Sequence, residues 1–193
     1  SAHTDPLLIS DLRWSNNITN LYYGFDYVVL NEKIVNIKKE RNYKKKSATI
    51  VITTGGSDPK GVLIKVLRWI NQIDILGVNV LALVGESFVH TKTLESLKKK
   101  LNKNIIVTPY DVSYLEVADM AISTFGVSTY ELVYLGLPIL SIGHCKKNAE
   151  SSRILSEKCS QLIDLGNIDD ITKEKFRQGL YQVMDRIKTN QVS

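Results

Sequence analysis

From Ala48 onward the sequence alternates short runs rich in Val and Ile with longer stretches whose apolar residues recur at helical spacing, and few folds accept that order. A strand that is followed by a helix and then by another strand brings the second strand back parallel to the first. The strand candidates are residues 49–53, 79–84, 105–108, 120–123, 139–142 and 161–163, with few polar residues alternating among them. Strands of that kind are covered on both faces. Between them, Val62, Leu63, Val66, Leu67, Ile70 and Ile73 mark one helix face, and Leu94, Leu97 and Leu101 mark another. Further helices are expected at 127–135, 149–158 and 173–188. The predicted fold class is α/β, a doubly wound parallel sheet of Rossmann-like type over residues 48–193.

Residues 1–37 do not share this alternation, although Leu7-Leu8-Ile9 and Tyr27-Val28-Val29-Leu30 read as short extended segments. They are expected to be the remnant of a preceding N-terminal domain and its crossover, the upstream part being missing. The chain of 193 residues carries 25 Lys and Arg against 20 Asp and Glu, and the excess is local. The run from Lys38 to Lys46 has no Gly-rich or aromatic repeat, so 38–47 reads as a basic linker, not a nucleic-acid tail. Lys98-Lys99-Lys100 falls at a predicted helix end, where cations suit the dipole. No nucleic-acid partner is expected. No apolar run approaches the roughly 18 residues of a transmembrane segment. A basic leader with an apolar stretch is also lacking, so a cytoplasmic location is expected. Cys145 and Cys159 are too few for a disulfide framework and are expected to be free thiols. No His and carboxylate pair stands at ligand spacing, so neither a metal nor a cofactor is expected.

Ligands of open parallel sheets bind beyond the carboxyl ends of the strands, which directs attention to two loops. The first, Thr53-Thr54-Gly55-Gly56-Ser57-Asp58-Pro59-Lys60-Gly61, leaves the first strand and enters a helix. Its glycines permit unusual backbone angles, Ser57 or Asp58 suits the N-cap, and Pro59 suits the first helical position. Such a turn aims backbone N–H groups at an anion, or simply turns the chain tightly. It is neither a P-loop nor Gly-x-Gly-x-x-Gly. The second loop, Ser123-Thr124-Phe125-Gly126-Val127-Ser128-Thr129-Tyr130-Glu131, again puts hydroxyls on the first turn of a helix. Ser128 and Thr129 suit phosphate oxygens, and Glu131, one turn in, suits two ribose hydroxyls. Two helix starts of this kind in one sheet favour a nucleoside diphosphate over two coincidental caps.

Gly55-Gly56-Ser57-Asp58-Pro59, Ala118-Asp119-Met120-Ala121-Ile122-Ser123, and Gly126 to Leu132 with Gly136-Leu137-Pro138 together resemble the C-terminal half of GT-B nucleotide-sugar enzymes. The nearest resemblance is to the pseudaminic-acid pathway UDP-sugar hydrolase and the spore-coat polysaccharide biosynthesis proteins, within the MurG-like glycosyltransferase superfamily. Asp5 to Ile9 and Tyr23 to Leu30 resemble the end of the hydrolase's first domain and its crossover. The resemblance implies a UDP-sugar site. Gly55, Gly56 and Ser57 would approach the diphosphate or sugar, Ser128 and Thr129 the phosphates, and Glu131 the ribose. Tyr110 and Val112, in Pro109-Tyr110-Asp111-Val112, would line the uracil pocket. Asn148 matches the Asn of the family's Asn-Gln pair, while Ala149 replaces the Gln and Glu150 is its possible substitute at the sugar. The family's general base is a His in a Gly-His-x-x-Arg loop of the first domain, which this sequence lacks. Gly143-His144-Cys145 repeats the dipeptide but follows the fifth strand. The resemblance therefore implies no catalytic residue in this chain, which would bind UDP-sugar without turnover unless joined by an N-terminal domain or a partner subunit. A hydrolase releasing UDP from a UDP-linked amino sugar, a glycosyltransferase donor domain and a stand-alone binding subunit all fit.

Overall fold

The structure, a computed structural model, describes residues 28–37, 47–73 and 75–190, with side chains as far as Arg186. Residues 1–27, with His3 and the extended segment expected at Leu7, and residues 38–46 of the expected basic linker lie outside the described residues.

Six strands, β1 (Ala48–Thr53), β2 (Val78–Val84), β3 (Ile105–Pro109), β4 (Met120–Thr124), β5 (Ile139–Gly143) and β6 (Leu162–Asn167), form one parallel sheet in the order β3-β2-β1-β4-β5-β6. The helices are α1 (Glu32–Asn36), α2 (Val62–Ile70), α3 (Thr91–Lys98), α4 (Val127–Tyr134), α5 (Lys146–Lys158) and α6 (Lys173–Asn190). A 3-10 turn, Val112–Leu115, follows β3. This is the expected doubly wound α/β fold.

Side chains alternate across the central strand, which divides the core in two. Ile50 and Ile52 of β1 face Leu63, Leu67 and Ile70 of α2, together with Phe176 and Leu180 of α6. Val51 faces the other way, into a cluster with Tyr130 and Leu132 of α4, Leu155 of α5 and Ile34 of α1. Ile34 is thus fully buried against this face of the sheet, which fastens α1 to it. At the end of α4, Gly136 takes φ +67° and Leu137 N–H reaches back to the Leu132 carbonyl at 3.1 Å. That 6→1 bond closes the helix in a Schellman motif and returns the chain to β5.

Three boundaries differ from the sequence expectation. Val28–Leu30 join no strand. The last strand runs on to Asn167, because Asp164 is held by Ser152 at 2.5 Å and Leu165 turns into the core; an edge strand tolerates the polar alternation that a run of Val and Ile excludes. Helix α5 starts at Lys146, three residues early, with Cys145 at its N-cap. Gly143 permits this: a Cβ there would stand 2.5 Å from the Ala149 nitrogen, so only glycine lets the helix return so close to the strand end.

Among the described residues no helix is long and apolar enough to cross a membrane.

Candidate functional site

After β3 the chain crosses back to lay β4 on the far side of β1, so the loops leaving β1 and β4 diverge and open a crevice between them. The two loops singled out in the sequence are these two. Two adjoining recesses share Gly55, Gly56 and Ser128. One, of about 470 Å³, also meets Thr53, Glu86 and Tyr110. The other, of about 400 Å³, also meets Thr54, Ser57, Phe125 and His144. The crevice therefore gathers Gly55, Gly56, Ser57, Tyr110 and Ser128 from the expected site, and adds His144 at its margin.

The β1 loop is held from the side by the loop after β2. Gly85 lies so close that a Cβ on it would be 2.3 Å from the Gly55 carbonyl oxygen. Ser87 N–H donates to the Gly56 carbonyl at 3.1 Å, Val89 N–H donates to that of Ser57 at 3.2 Å, and His90 Nε2 lies 3.3 Å from the Pro59 carbonyl. None of these braces was expected from the sequence, since each depends on a neighbour some thirty residues away.

The two helix starts are not equivalent. Helix α2 begins at Val62, later than a Pro59 start would place it, after Asp58 at φ +45° and Gly61 at φ +63°. The Asp58 carboxylate accepts the N–H groups of Val62 and Leu63, both at 2.8 Å, and is 3% exposed. An anion at this terminus is thus already supplied by the protein. Helix α4 is open by contrast. Gly126 is extended, and among the described residues the N–H groups of Val127 and Ser128 meet no acceptor. Both residues line the crevice.

Thr129, expected beside Ser128 at phosphate, is fully buried. Its Oγ1 accepts the Gly126 N–H at 3.1 Å and faces the Thr124 carbonyl at 3.4 Å, so it shapes the turn and presents no hydroxyl to the crevice. Glu131 is 8% exposed; burial pushes its carboxyl above the usual range, and the N–H of Asn31, at the N-cap of α1, opposes that shift. Tyr110 lies within electrostatic reach: its hydroxyl is raised first by burial, then by Glu131 and by Asp111. Val112 is separated from Tyr110 and lines a recess of about 330 Å³ against Lys33, Asn36 and Ile37 in and after α1. Asn148 sits in the first turn of α5, where its Oδ1 accepts from Cys145 Sγ at 2.8 Å and its Nδ2 approaches the Phe125 carbonyl at 3.5 Å. Glu150 is exposed and paired with Arg153 at 2.8 Å.

An all-parallel sheet with this strand order and a crevice at its switch point define a Rossmann-like half of a GT-B fold. The glycosyltransferase of kitacinnamycin has a similar fold, with a TM-score of 0.53 at 15% identity over 81% of this chain and 41% of that one. In sequence the chain is 29% identical over 151 residues to the spore coat polysaccharide biosynthesis protein SpsG of Bacillus subtilis, covering 77% of this chain and 44% of that protein. It is 28% identical over 132 residues to the uncharacterized protein MJ1062 of Methanocaldococcus jannaschii, covering 64% of this chain and 27% of that one. The chain thus spans less than half the length of these relatives. No protein-family profile matches it.

Proposed function

We propose that this chain is the UDP-sugar-binding domain of a nucleotide-sugar enzyme of surface polysaccharide or nonulosonic acid synthesis, with the diphosphate in the crevice between β1 and β4. The observation that carries the reading is the open start of α4. Two unpartnered N–H groups, a hydroxyl on Ser128 and the positive end of a helix converge on a recess floored by Gly55 and Gly56. Glu131, held by the crossover, would accept ribose hydroxyls, and Tyr110 would cover the nucleoside. Gly55, Gly56 and Ser57 would border the diphosphate and sugar, with Asn148 behind Phe125. In this reading residues 1–37 are the end of a preceding domain, and 38–47 join it to the present one.

The similarity to SpsG supports a role in polysaccharide synthesis. The reaction we assign is hydrolytic release of UDP from a UDP-linked amino sugar, with water activated by a group outside the described residues. A glycosyltransferase would use the same cradle and admit an acceptor hydroxyl instead, and the fold shared with the kitacinnamycin enzyme favours it as the second reading. Calorimetric titration of the chain with UDP, with ADP and GDP as controls, tests the common core of both. Selective binding of UDP that Ser128→Ala weakens supports the proposal. Equal binding of all three nucleotides, or none by folded protein at millimolar concentration, overturns it.

A further inference from the structure

We infer that the Thr54 hydroxyl is a ligand contact, donating to a phosphate oxygen of an anion seated at the start of α4. The inference rests on the diphosphate reading of the crevice and adds to it a residue whose side chain the loop's sequence does not distinguish from its neighbours.

Thr54 follows β1 directly and is 7% exposed, yet its Oγ1 is sealed from solvent and has no hydrogen-bond partner among the described residues. A buried hydroxyl in that condition has given up its water without replacement, and a native protein rarely tolerates this unless a partner arrives from elsewhere. Valine has the same shape and a better strand propensity, so packing alone does not call for the hydroxyl. Thr54 lines the recess that holds Gly126, Val127 and Ser128, whose two backbone N–H groups are likewise without acceptors. Two backbone donors without acceptors therefore border this space, and the residue that carries the unsatisfied hydroxyl lines it as well. That space lacks a negative charge of its own apart from Asp58, whose two oxygens are both spent on Val62 and Leu63. Two N–H groups that can only donate, with a hydroxyl free to donate beside them, fit an acceptor-only group such as a phosphate oxygen.

The test compares Thr54→Val, Thr54→Ala and Thr54→Ser with the unaltered full chain, measuring the melting temperature without ligand and the affinity for UDP, for inorganic pyrophosphate and for uridine. Thr54→Val is expected to melt no lower than the parent, because it removes an unsatisfied polar atom. Its affinity for UDP and for pyrophosphate should fall roughly tenfold or more, the scale of one lost hydrogen bond to a charged acceptor. Uridine affinity should hold, and Thr54→Ser should restore phosphate binding to within about threefold of the parent. Thr54→Ala repeats the loss if the valine variant folds poorly. Unchanged UDP and pyrophosphate affinity in a folded Thr54→Val protein overturns the inference and leaves the UDP reading intact, assigning the hydroxyl to a buried water. If the parent binds pyrophosphate but not UDP, the nucleotide reading fails while the Thr54 variants still judge the anion contact. If it binds neither, both fail.

Discussion

The Asp58 carboxylate accepts the Val62 N–H at 2.8 Å from a backbone held at φ +45°, so one residue both turns the β1 loop through the left-handed region and caps the helix that follows it. The left-handed region costs an L-residue other than Asn or Asp roughly 1–2 kcal/mol. Asp58→Ala takes on that cost and loses two buried charge-assisted bonds, and should destabilise the fold by roughly 2–4 kcal/mol. Asp58→Gly loses the same bonds but relieves the backbone, and should be about 1 kcal/mol more stable than the alanine variant. Urea unfolding of the two variants decides it. An alanine variant at least as stable as the glycine one would remove the strain argument.

Gly56 and Gly85 divide binding from stability. A Cβ on Gly56 meets nothing within 4 Å and opens onto the crevice, whereas one on Gly85 would collide with the carbonyls of Gly55 and Gly56 at 2.3 and 2.4 Å. Gly56→Ala should leave stability within about 0.5 kcal/mol while weakening UDP binding. Gly85→Ala must push the whole β1 loop aside and should cost about 1–3 kcal/mol of stability or more, with binding lost as a consequence. Paired melting curves and titrations separate the two. If both variants lose stability equally, Gly56 is not facing free space.

These contrasts mark how far the sequence could be read. The six strands were legible because Thr49–Thr53 and its counterparts are short, mostly apolar runs set between helical patterns, as a sheet covered on both faces requires. The crevice was legible too, since alternating strands and helices force the loops after β1 and β4 to the same edge. The role of Asp58 was not, because Ser57, Asp58 and Pro59 all suit a helix start, and only the two left-handed turns at Asp58 and Gly61 delay it to Val62. Choosing Ser128 over Thr129 depends on how the first turn of α4 is rotated, which adjacent hydroxyls do not record. The separation of Tyr110 from Val112 arises from the 3-10 turn between β3 and β4, started by Asp111 accepting the Ser113 N–H at 2.9 Å. Gly85 and Asn31 have meaning only through partners distant in the chain, a braced loop in one case and Glu131 in the other.

Glu131 gives a pH dependence whose sign is fixed by its environment. Burial, the larger influence, raises its carboxyl in the folded state, with the Asn31 N–H opposing. A carboxyl raised on folding contributes stability at pH below its unfolded value, about 4.3, and loses that contribution as pH rises through the folded one. The ionised side chain is therefore a burden at neutral pH. Glu131→Gln should be more stable relative to the parent at pH 7 than at pH 4, and its advantage should grow across the interval between. It should also bind UDP more weakly at pH 7, having lost the charge and one of the two oxygens that would accept the ribose hydroxyls. Thermal melts of both proteins from pH 4 to pH 8 check the first statement, and a constant difference would show that Glu131 titrates as it does in the unfolded chain.

Salt should have little hold on UDP binding. The residues bordering the two recesses include no Lys or Arg, and the formal charges among them are those of Glu86 and Asp58. Lys60, on the same loop, is paired with Asp169 at 3.2 Å instead. The diphosphate would then be held by N–H and O–H dipoles at contact distance, which mobile ions do not screen, while the carboxylates repel it over a longer range. Raising salt from about 0.1 to about 1 M shortens the Debye length from roughly 10 to 3 Å. Affinity for UDP should change by less than about threefold over that interval, since screening weakens only the repulsion from the carboxylates and the pull of distant lysines. A loss of tenfold or more would mean that a cation reaches the phosphates in the complex, and the assignment of the diphosphate to the start of α4 would have to be replaced by one that includes it.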